Sequence, residues 1–284
     1  MNRIASILCC TLLICSVTIS QPGESQAASG EKLTVGVVPQ QSATRLAKIW
    51  VPFLQEISKM SGHQLVFATA KDIPAFEACL AQGAYDIAYM NPYHYTEFHD
   101  AVGYEAFARQ EKKRLKGIIV ARHDSDLTEL AGLDGATVAF PSPAAFGASV
   151  VPRAEMKGQG ISITPRYVKS HDSVYRAVSA GLVPAGGGVL RTFNTVDPKI
   201  REQLKVIYRT EGYTPHAFAA HPNVPQDTVQ SVFVAMAALN KEVLKALGMS
   251  GIEQGRNTDW DDVRALGLER SHTRIVKDGT VKCR

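Results

Sequence analysis

One stretch of the chain decides the fold: VAFPSPAAFGASVVPRAEM at 138–156, ITPRYVKSHDSVYRAVSAG at 163–181 and LVPAGGGVLRTF at 182–193. It contains three short apolar runs, Val138–Phe140, Ile163–Val168 and Ala185–Val189. Two segments of helical character, beginning near Ala144 and His171, separate these runs. This β-α-β-α-β order predicts a parallel sheet with crossover helices.

The junctions that follow these predicted strands carry small or hydrogen-bonding residues, namely Ser142, Ala144, Ser170, His171 and Gly186–Gly188. In parallel sheets, ligands bind beyond the carboxyl ends of the strands, where helix N-termini present free N–H groups. We therefore expect a site that holds a small ligand, and an anion in particular.

The first residues of the chain predict the compartment. Asn2 and Arg3 form a short positive region, Ile4–Ile19 is almost wholly apolar, and Ser25–Ala27 is a small-x-small cleavage signal. A membrane anchor is the alternative, but a span needs about 20 apolar residues. We expect a signal peptide over residues 1–27 that is cleaved, so that the mature chain begins near Ala28 and lies outside the cytoplasm.

Cleavage would leave two of the five cysteines, Cys79 and Cys283. Two cysteines in an oxidising compartment can pair, but the sequence does not show whether they lie close together. Cys79 falls in a predicted helix with Phe76 and Leu80, which favours a buried free thiol.

The N-terminal part of the chain repeats the strand and helix order of the opening stretch. Strands are expected at Leu33–Val38, Gln64–Ala70 and Tyr85–Tyr89, separated by a helix capped by Ser42 and a helix over Ile73–Ala81. A further helix is expected to begin at Asn91-Pro92. This pattern predicts a first α/β lobe.

The chain is expected to pass between the lobes twice, near residues 110–122 and 208–217, and its C-terminal helices to return to the first lobe. We predict an α/β fold of two lobes, in which a two-strand hinge joins the lobes and a ligand cleft lies between them. The expected limits are 28–113 for the first part of lobe 1, 114–212 for lobe 2, and 213–284 for the return to lobe 1.

Four motifs, in this order, resemble the PhnD-like family of periplasmic substrate-binding proteins, which serve phosphate, phosphite and phosphonate ABC transporters. They are LTVGVVPQQ at 33–41, YDIAYMNPYHY at 85–95, LAGLDGATVAF at 130–140 and FPSPAAFGASVVPR at 140–153. The resemblance covers roughly residues 31–270. It implies a type II periplasmic-binding-protein fold with a closing two-lobe cleft, a location in the periplasm, no catalysis, and a small oxyanion as ligand.

The sequence departs from the family pattern at two places. Typical phosphonate binders carry a Ser-Thr-Ser-Gly turn that holds the anion, whereas the matching positions here are Ala144–Gly147. This change keeps the backbone N–H donors and removes the hydroxyl donors. Near the third strand of the second lobe, where relatives tend to carry acidic residues, this chain has Gly186–Gly188 and then Arg191.

Candidate ligand-binding residues in lobe 1 flank the ends of its strands, where polar side chains can orient a small ligand. The alternative for each is ordinary packing or helix capping, with Asn91 as the cap. The candidates are Gln40, Tyr89, Asn91, Tyr93 and His94.

Candidates in lobe 2 surround the predicted helix starts and the glycine run. The family position supports His171, with Tyr175 one turn further on, while Arg191 is expected to bind an oxyanion through its fork of N–H donors unless it is an ordinary surface arginine. The candidates are Ser142, Ala145, Phe146, His171, Tyr175 and Arg191.

No enzyme signature is present. Ser170-His171-Asp172 are consecutive, so their side chains diverge and cannot form a catalytic triad, and no nucleophile elbow or zinc-protease motif occurs. His94 and Glu97 share a helix face but His99 does not, which disfavours a metal site. We expect no catalytic residue, no metal and no cofactor; a small hydrolase and a metal-trafficking protein are the other classes considered.

The expected partners follow from the resemblance and the charge. The net charge of +4 comes without a basic stripe, so no nucleic-acid partner is expected. The resemblance implies either an ABC transporter permease or a periplasmic sensor histidine kinase as the protein partner. A monomer is expected.

Overall fold

The computed structural model describes residues 30–268 and 281–283. The predicted signal peptide at 1–27 lies outside the described residues. Within the described part, no helix combines the length and apolar character needed to cross a bilayer.

The chain forms two mixed α/β lobes, each built on one sheet. The strands are β1 Lys32–Val37, β2 Gln64–Ala68, β3 Ile87–Met90, β4 Glu105–Gln110, β5 Leu115–Arg122, β6 Thr137–Phe140, β7 Thr164–Tyr167, β8 Ala185–Val189, β9 Leu204–Tyr213, β10 Ala217–Ala220 and β11 Ile252–Gln254. The helices are α1 Ala43–Ser61, α2 Ile73–Ala81, α3 Pro92–Val102, α4 Val151–Gly158, α5 His171–Ser179, α6 Leu190–Thr195, α7 Pro198–Arg201, α8 Gln226–Ala237, α9 Lys241–Ala246 and α10 Asp261–Arg264.

The first sheet has the strand order β11-β4-β10-β3-β1-β2, and the second has β7-β6-β8-β5-β9. β1 pairs in parallel with β2 and β3, and β6 pairs in parallel with β7 and β8. The predicted parallel β-α-β-α-β units are therefore confirmed in both lobes. The remaining strands add antiparallel pairs, such as β10 with β3 and β5 with β8.

The first three helices begin at the capping residues that the local sequence predicts. Ser42 caps α1 by accepting a hydrogen bond from the Arg45 N–H, and Gly62 ends that helix with a φ of 77°. Only glycine adopts this left-handed conformation without strain, which explains the stop. Asp72 and Asn91 cap α2 and α3 in the same way as Ser42 caps α1.

The chain passes between the sheets twice, from β4 to β5 and from β9 to β10. Arg114 lies at the first passage and donates to the Thr214 hydroxyl, 3.2 Å away, at the second. It also pairs with Asp262 of α10 at 2.7 Å. These contacts hold the two connections side by side, as expected for a paired hinge; the lobe limits given above stay a prediction.

The core consists of one large apolar cluster, which is centred on lobe 1 and extends across the cleft to Ala145, Phe146 and Val189 of lobe 2, and of one cluster on each face of the second sheet. Adjacent residues of β5 separate the two faces, since Ile118 packs with α5 whereas Ile119 packs beside Met156 of α4. The first cluster also takes in Val232 of α8, so this C-terminal helix packs with the elements of lobe 1.

The prediction of a free Cys79 thiol is wrong, because Cys79 and Cys283 form a disulfide with their Cα atoms 5.5 Å apart. The residues are 204 positions apart, so nothing local in the sequence reveals that they meet. The bond attaches the C-terminal residues to α2.

The glycine run also has a different role from the one its position suggests. Gly187 lies inside β8, and a Cβ on it would approach the Ala148 carbonyl oxygen to 1.9 Å. A Cβ on Gly188 would meet the Tyr175 hydroxyl at 2.2 Å. The run therefore permits close packing behind the site rather than forming an anion-binding turn.

Candidate functional site

A small cavity lies between the two lobes, which we term the inner cavity. The volume open to the centre of a water molecule is about 10 Å³, so the cavity holds roughly one water. It is lined by Val38, Gln40, Ile73, Asn91, Leu115, Ala145, Phe146, Gly147, Ala148, His171, Val189 and His216. Only four of these side chains are polar, and none of them carries a hydroxyl group.

Hydrogen bonds connect the lobes around the inner cavity. The Asn91 side chain donates to the Ala144 carbonyl at 3.1 Å, and the His171 N–H donates to the Gln40 carbonyl at 3.0 Å. Further out, the Gln41 side chain donates to the Thr195 hydroxyl at 3.1 Å, and Arg45 donates to the Thr195 carbonyl. The structure is therefore a closed arrangement, in which residues of both lobes line the cavity.

Gln40 connects a cation to a histidine. Arg191 donates to Gln40 Oε1, and Gln40 Nε2 lies 3.1 Å from His216 Nε2. Because a guanidinium only donates, Gln40 presents its oxygen to Arg191 and its N–H to His216. His216 Nε2 therefore accepts a hydrogen bond, which places the proton of the neutral ring on Nδ1.

Burial and the positive charge of Arg191 keep both histidines of the site neutral. Desolvation, followed by repulsion from Arg191, lowers the pKa of His171 to about 3. The same two effects, in the same order, lower the pKa of His216 well below its usual value. Burial raises the pKa of the Tyr89 hydroxyl, so Arg191 is the charged group among these four side chains.

Tyr89 supports the cation and the histidine from the lobe 1 side. Its ring stacks on His216 with centroids 5.0 Å apart, and the guanidinium carbon of Arg191 lies 5.9 Å from its ring centroid. This cation–π contact orients Arg191 toward Gln40 without neutralising its charge.

The opposite wall is the start of the helix that follows β6. Phe146–Val150 forms a π-helical turn that continues into α4. The first N–H groups of a helix have no intrahelical partner, and Phe146, Gly147 and Ala148 of this first turn line the inner cavity. Such groups attract anions. The departure from the family's hydroxyl-rich turn thus leaves backbone donors in place.

Most of the residues predicted for the site come together. Five line the inner cavity: Gln40, Asn91, Ala145, Phe146 and His171. Arg191 and Tyr89 contact Gln40 and His216, which are lining residues.

The other predicted residues lie behind this group. His94 is fully buried, and its Nε2 lies 2.9 Å from a carboxylate oxygen of Glu77, away from the cavity wall. Tyr93 and Ser142 are buried without lining the cavity. Tyr175 bonds to Thr192 at 2.8 Å, and the Thr192 hydroxyl lies 3.0 Å from His171 Nδ1, so Tyr175 supports a lining residue.

His216 is the polar lining residue that the sequence interpretation missed. It immediately precedes β10 and follows Pro215, inside the region interpreted as a hinge crossing. Its position at the end of a strand that enters the first sheet is the one signal that points to the cleft.

The fold and this site define the class: the chain is a two-lobe α/β binding protein with a cleft for a small ligand. The family model for ABC transporter, phosphonate, periplasmic substrate-binding proteins matches residues 35–260. The chain belongs to this family, whose members are the substrate-binding components of transporters rather than enzymes.

Known relatives agree with this assignment. The phosphate-import protein PhnD of Mycolicibacterium smegmatis is 21% identical over 329 residues, covering 100% of this chain and 98% of that protein. A binding component of a Pseudomonas aeruginosa phosphonate ABC transporter has a TM-score of 0.75 and 20% identity, over 89% of this chain and 90% of the other. PhnD1 of Prochlorococcus marinus, solved with methylphosphonate, has a TM-score of 0.75 and 16% identity, over 83% of this chain and 97% of the other.

Proposed function

We propose that this chain captures a small oxyanion of the phosphonate, phosphite or phosphate class in the inner cavity and delivers it to an ABC transporter permease. The observation that carries the proposal is the pairing of Arg191 with an uncharged acceptor, Gln40 Oε1, between the lobes. Arg191 is half-buried, and an arginine whose hydrogen-bond acceptor is a neutral amide oxygen is prepared for a stronger, anionic acceptor.

In this proposal an oxyanion replaces Gln40 Oε1 as the partner of Arg191. The first-turn N–H groups of Phe146–Ala148 bind its other oxygens, and Asn91 and the neutral histidines complete the set of polar contacts. Because the present cavity admits about one water (about 10 Å³), entry requires the lobes to separate. Reclosure around the anion then gives the permease a distinct shape to recognise.

The protein partner and the oligomeric state belong to the same proposal. A permease is favoured over a sensor kinase because the matched family consists of transporter components. A monomer suffices because both walls of the inner cavity come from one chain. Delivery to a permease also requires the periplasmic location of the family.

The test is calorimetric titration of the purified chain with methylphosphonate, phosphite, phosphate and, for comparison, sulfate and acetate. We expect a phosphorus oxyanion to bind best, and Arg191→Ala to weaken it by about 100-fold, because a charge-assisted, bidentate donor is lost. Arg201→Ala is the matched control, since Arg201 of α7 is exposed and away from the cavity.

Equal affinity of the wild type and Arg191→Ala, together with less than a twofold loss in His171→Ala, would contradict the site. Absence of binding by every oxyanion would contradict the function.

A further inference from the structure

A second, larger cavity opens beside the inner cavity, and we term it the mouth. It measures about 730 Å³. Its walls come from both lobes: Pro39, Gln41, Ser42, Ala43, Thr44, Arg45, Lys48, Ala70 and Lys71 from the first, and Lys169, Ser170, Asp172, Ser173 and Arg176 from the second. A volume of this size exceeds what a single phosphate group fills.

Residues that are adjacent in the sequence line the mouth and the inner cavity. Gln40 lines the inner cavity and Gln41 lines the mouth, while His171 lines the inner cavity and Asp172 the mouth. Consecutive Cα atoms are about 3.8 Å apart, so a short ligand is long enough to reach from one space into the other.

The mouth is strongly positive. Its lining contains five cations, Arg45, Lys48, Lys71, Lys169 and Arg176, and one carboxylate, Asp172. Across residues 30–268 and 281–283, none of the three lysines forms an ion pair. A cleft lined by one sign of charge concentrates the field and attracts ions of the other sign.

Asp172 of lobe 2 is the single carboxylate that lines the mouth. Burial raises the pKa of its carboxyl group, while nearby Arg45 and Arg176 lower it. Asp172 balances only part of the positive charge, and the three lysines remain around the open volume.

We propose that the mouth is a second anion subsite, so that the preferred ligand carries two anionic groups, one in the inner cavity and one among Lys48, Lys71 and Lys169. This inference rests on the proposed function, because the first group is the oxyanion assigned to the inner cavity. It adds that the ligand is a dianionic molecule with its charges at separate ends, such as a phosphonate with a second phosphonate or phosphate group.

The test compares two matched ligand series by calorimetry. One series is α,ω-alkylenebisphosphonates with one to four methylenes, and the other is alkylphosphonates of the same chain lengths. We expect the bisphosphonate of the best length to bind at least roughly tenfold more tightly than its alkylphosphonate, because its second group gains charge-assisted contacts.

Lys71→Glu/Lys169→Glu reverses one charge on each side of the mouth. We expect it to lower bisphosphonate affinity to that of the alkylphosphonate and to leave alkylphosphonate affinity within twofold. Lys32→Glu/Lys157→Glu is the control: it changes the net charge equally, both lysines are exposed, and neither lines the mouth or the inner cavity. The control should bind both series as the wild type does.

The outcomes separate the two proposals. Equal affinity for both series, or equal losses for both series in Lys71→Glu/Lys169→Glu, would overturn the second subsite while leaving oxyanion binding intact. Bisphosphonate binding without alkylphosphonate binding would support the mouth and require a correction of the proposed single-oxyanion ligand. Absence of binding by both series would overturn the second subsite, and absence of phosphite and phosphate binding as well would overturn the proposed function.

Discussion

At the scale of single residues, the most consequential feature is a histidine that the fold keeps neutral. His171 is fully buried and lies near Arg191. Because burial and the positive charge of Arg191 both disfavour the protonated ring, its pKa falls to about 3. In the unfolded chain the same ring titrates near its ordinary value of about 6.5. Below that pH the unfolded chain takes up a proton that the folded chain refuses, so the free energy of unfolding decreases as pH falls from about 6.5 toward 3.

This difference predicts the pH dependence of stability. Between pH 7.5 and pH 5, His171 should account for a loss of about 2 kcal/mol in the free energy of unfolding. Melting temperatures of the ligand-free protein at the two pH values measure it. His171→Gln should reduce the fall in Tm by roughly 4–8 °C. His123→Gln, which removes an exposed histidine, should leave the fall unchanged; an equal fall in His171→Gln would contradict the account.

The residues of the site were predictable to different degrees. Gln40, Asn91 and His171 stand directly after strands or at helix starts, and the sequence therefore points to them. His216 and Gln40 form a hydrogen bond although they are 176 positions apart in the sequence. Only the folded connection between the lobes brings them together. The contact between His94 and Glu77 could not be predicted from the sequence either, because it depends on how α2 packs against α3.

At the scale of elements, Asn91 both caps a helix of lobe 1 and hydrogen-bonds to lobe 2 across the closed cleft. Its Oδ1 accepts the His94 N–H at 2.8 Å and so caps α3, while its Nδ2 donates to the Ala144 carbonyl of lobe 2 at 3.1 Å. One side chain thus starts a helix in one lobe and binds the helix start of the other.

A substitution can separate these two roles. Asn91→Ser keeps a good capping oxygen but loses the amide that crosses the cleft. We expect the free energy of unfolding to change by no more than about 0.5 kcal/mol, because the helix cap is kept. Oxyanion affinity should fall by roughly tenfold, because a hydrogen bond that closes the cleft is lost. Asn240→Ser is the control for the same cap exchange, since Asn240 caps α9 through the Val243 N–H and lines neither cavity. Unchanged affinity in Asn91→Ser would show that this contact does not support closure.

The positions of most helices and strands in lobe 1 could be predicted from the sequence. Caps, a glycine stop and apolar runs placed α1, α2 and the parallel strands, because these signals are local. The helix expected near Ala144 starts at Phe146 with a π-helical turn instead. That shift arises from close packing against β5 and β8, where Gly117 and Gly187 allow the turn's carbonyls to approach, and no local signal encodes it.

At the scale of the whole molecule, the disulfide is the longest-range constraint on the chain. Cys79 of α2 and Cys283 close a loop between residues 204 positions apart. In the chain-entropy description, such a bond stabilises by restricting the unfolded state, typically by about 2–4 kcal/mol. Disulfides of this kind persist in oxidising compartments, in agreement with the periplasmic family.

Removing the bond should lower stability and spare binding. We expect Cys283→Ser to lower Tm by roughly 5–15 °C, with oxyanion affinity within twofold of wild type because neither cysteine lines the inner cavity or the mouth. Dithiothreitol should lower the Tm of the wild type by a similar amount and leave that of Cys283→Ser unchanged. Two reactive thiols in unfolded wild type that has not been reduced would contradict the bond.

The crystal structure of the protein with its tightest-binding phosphonate tests the central claim most directly. The account predicts one phosphonate group between the lobes, with oxygens within hydrogen-bond distance of Arg191 and of the N–H groups of Phe146–Ala148, and with Gln40 Oε1 displaced from Arg191. A ligand bound outside the cleft, for example in the lobe 1 cavity beside Pro222 and Phe233, with the Arg191–Gln40 contact intact, would contradict it.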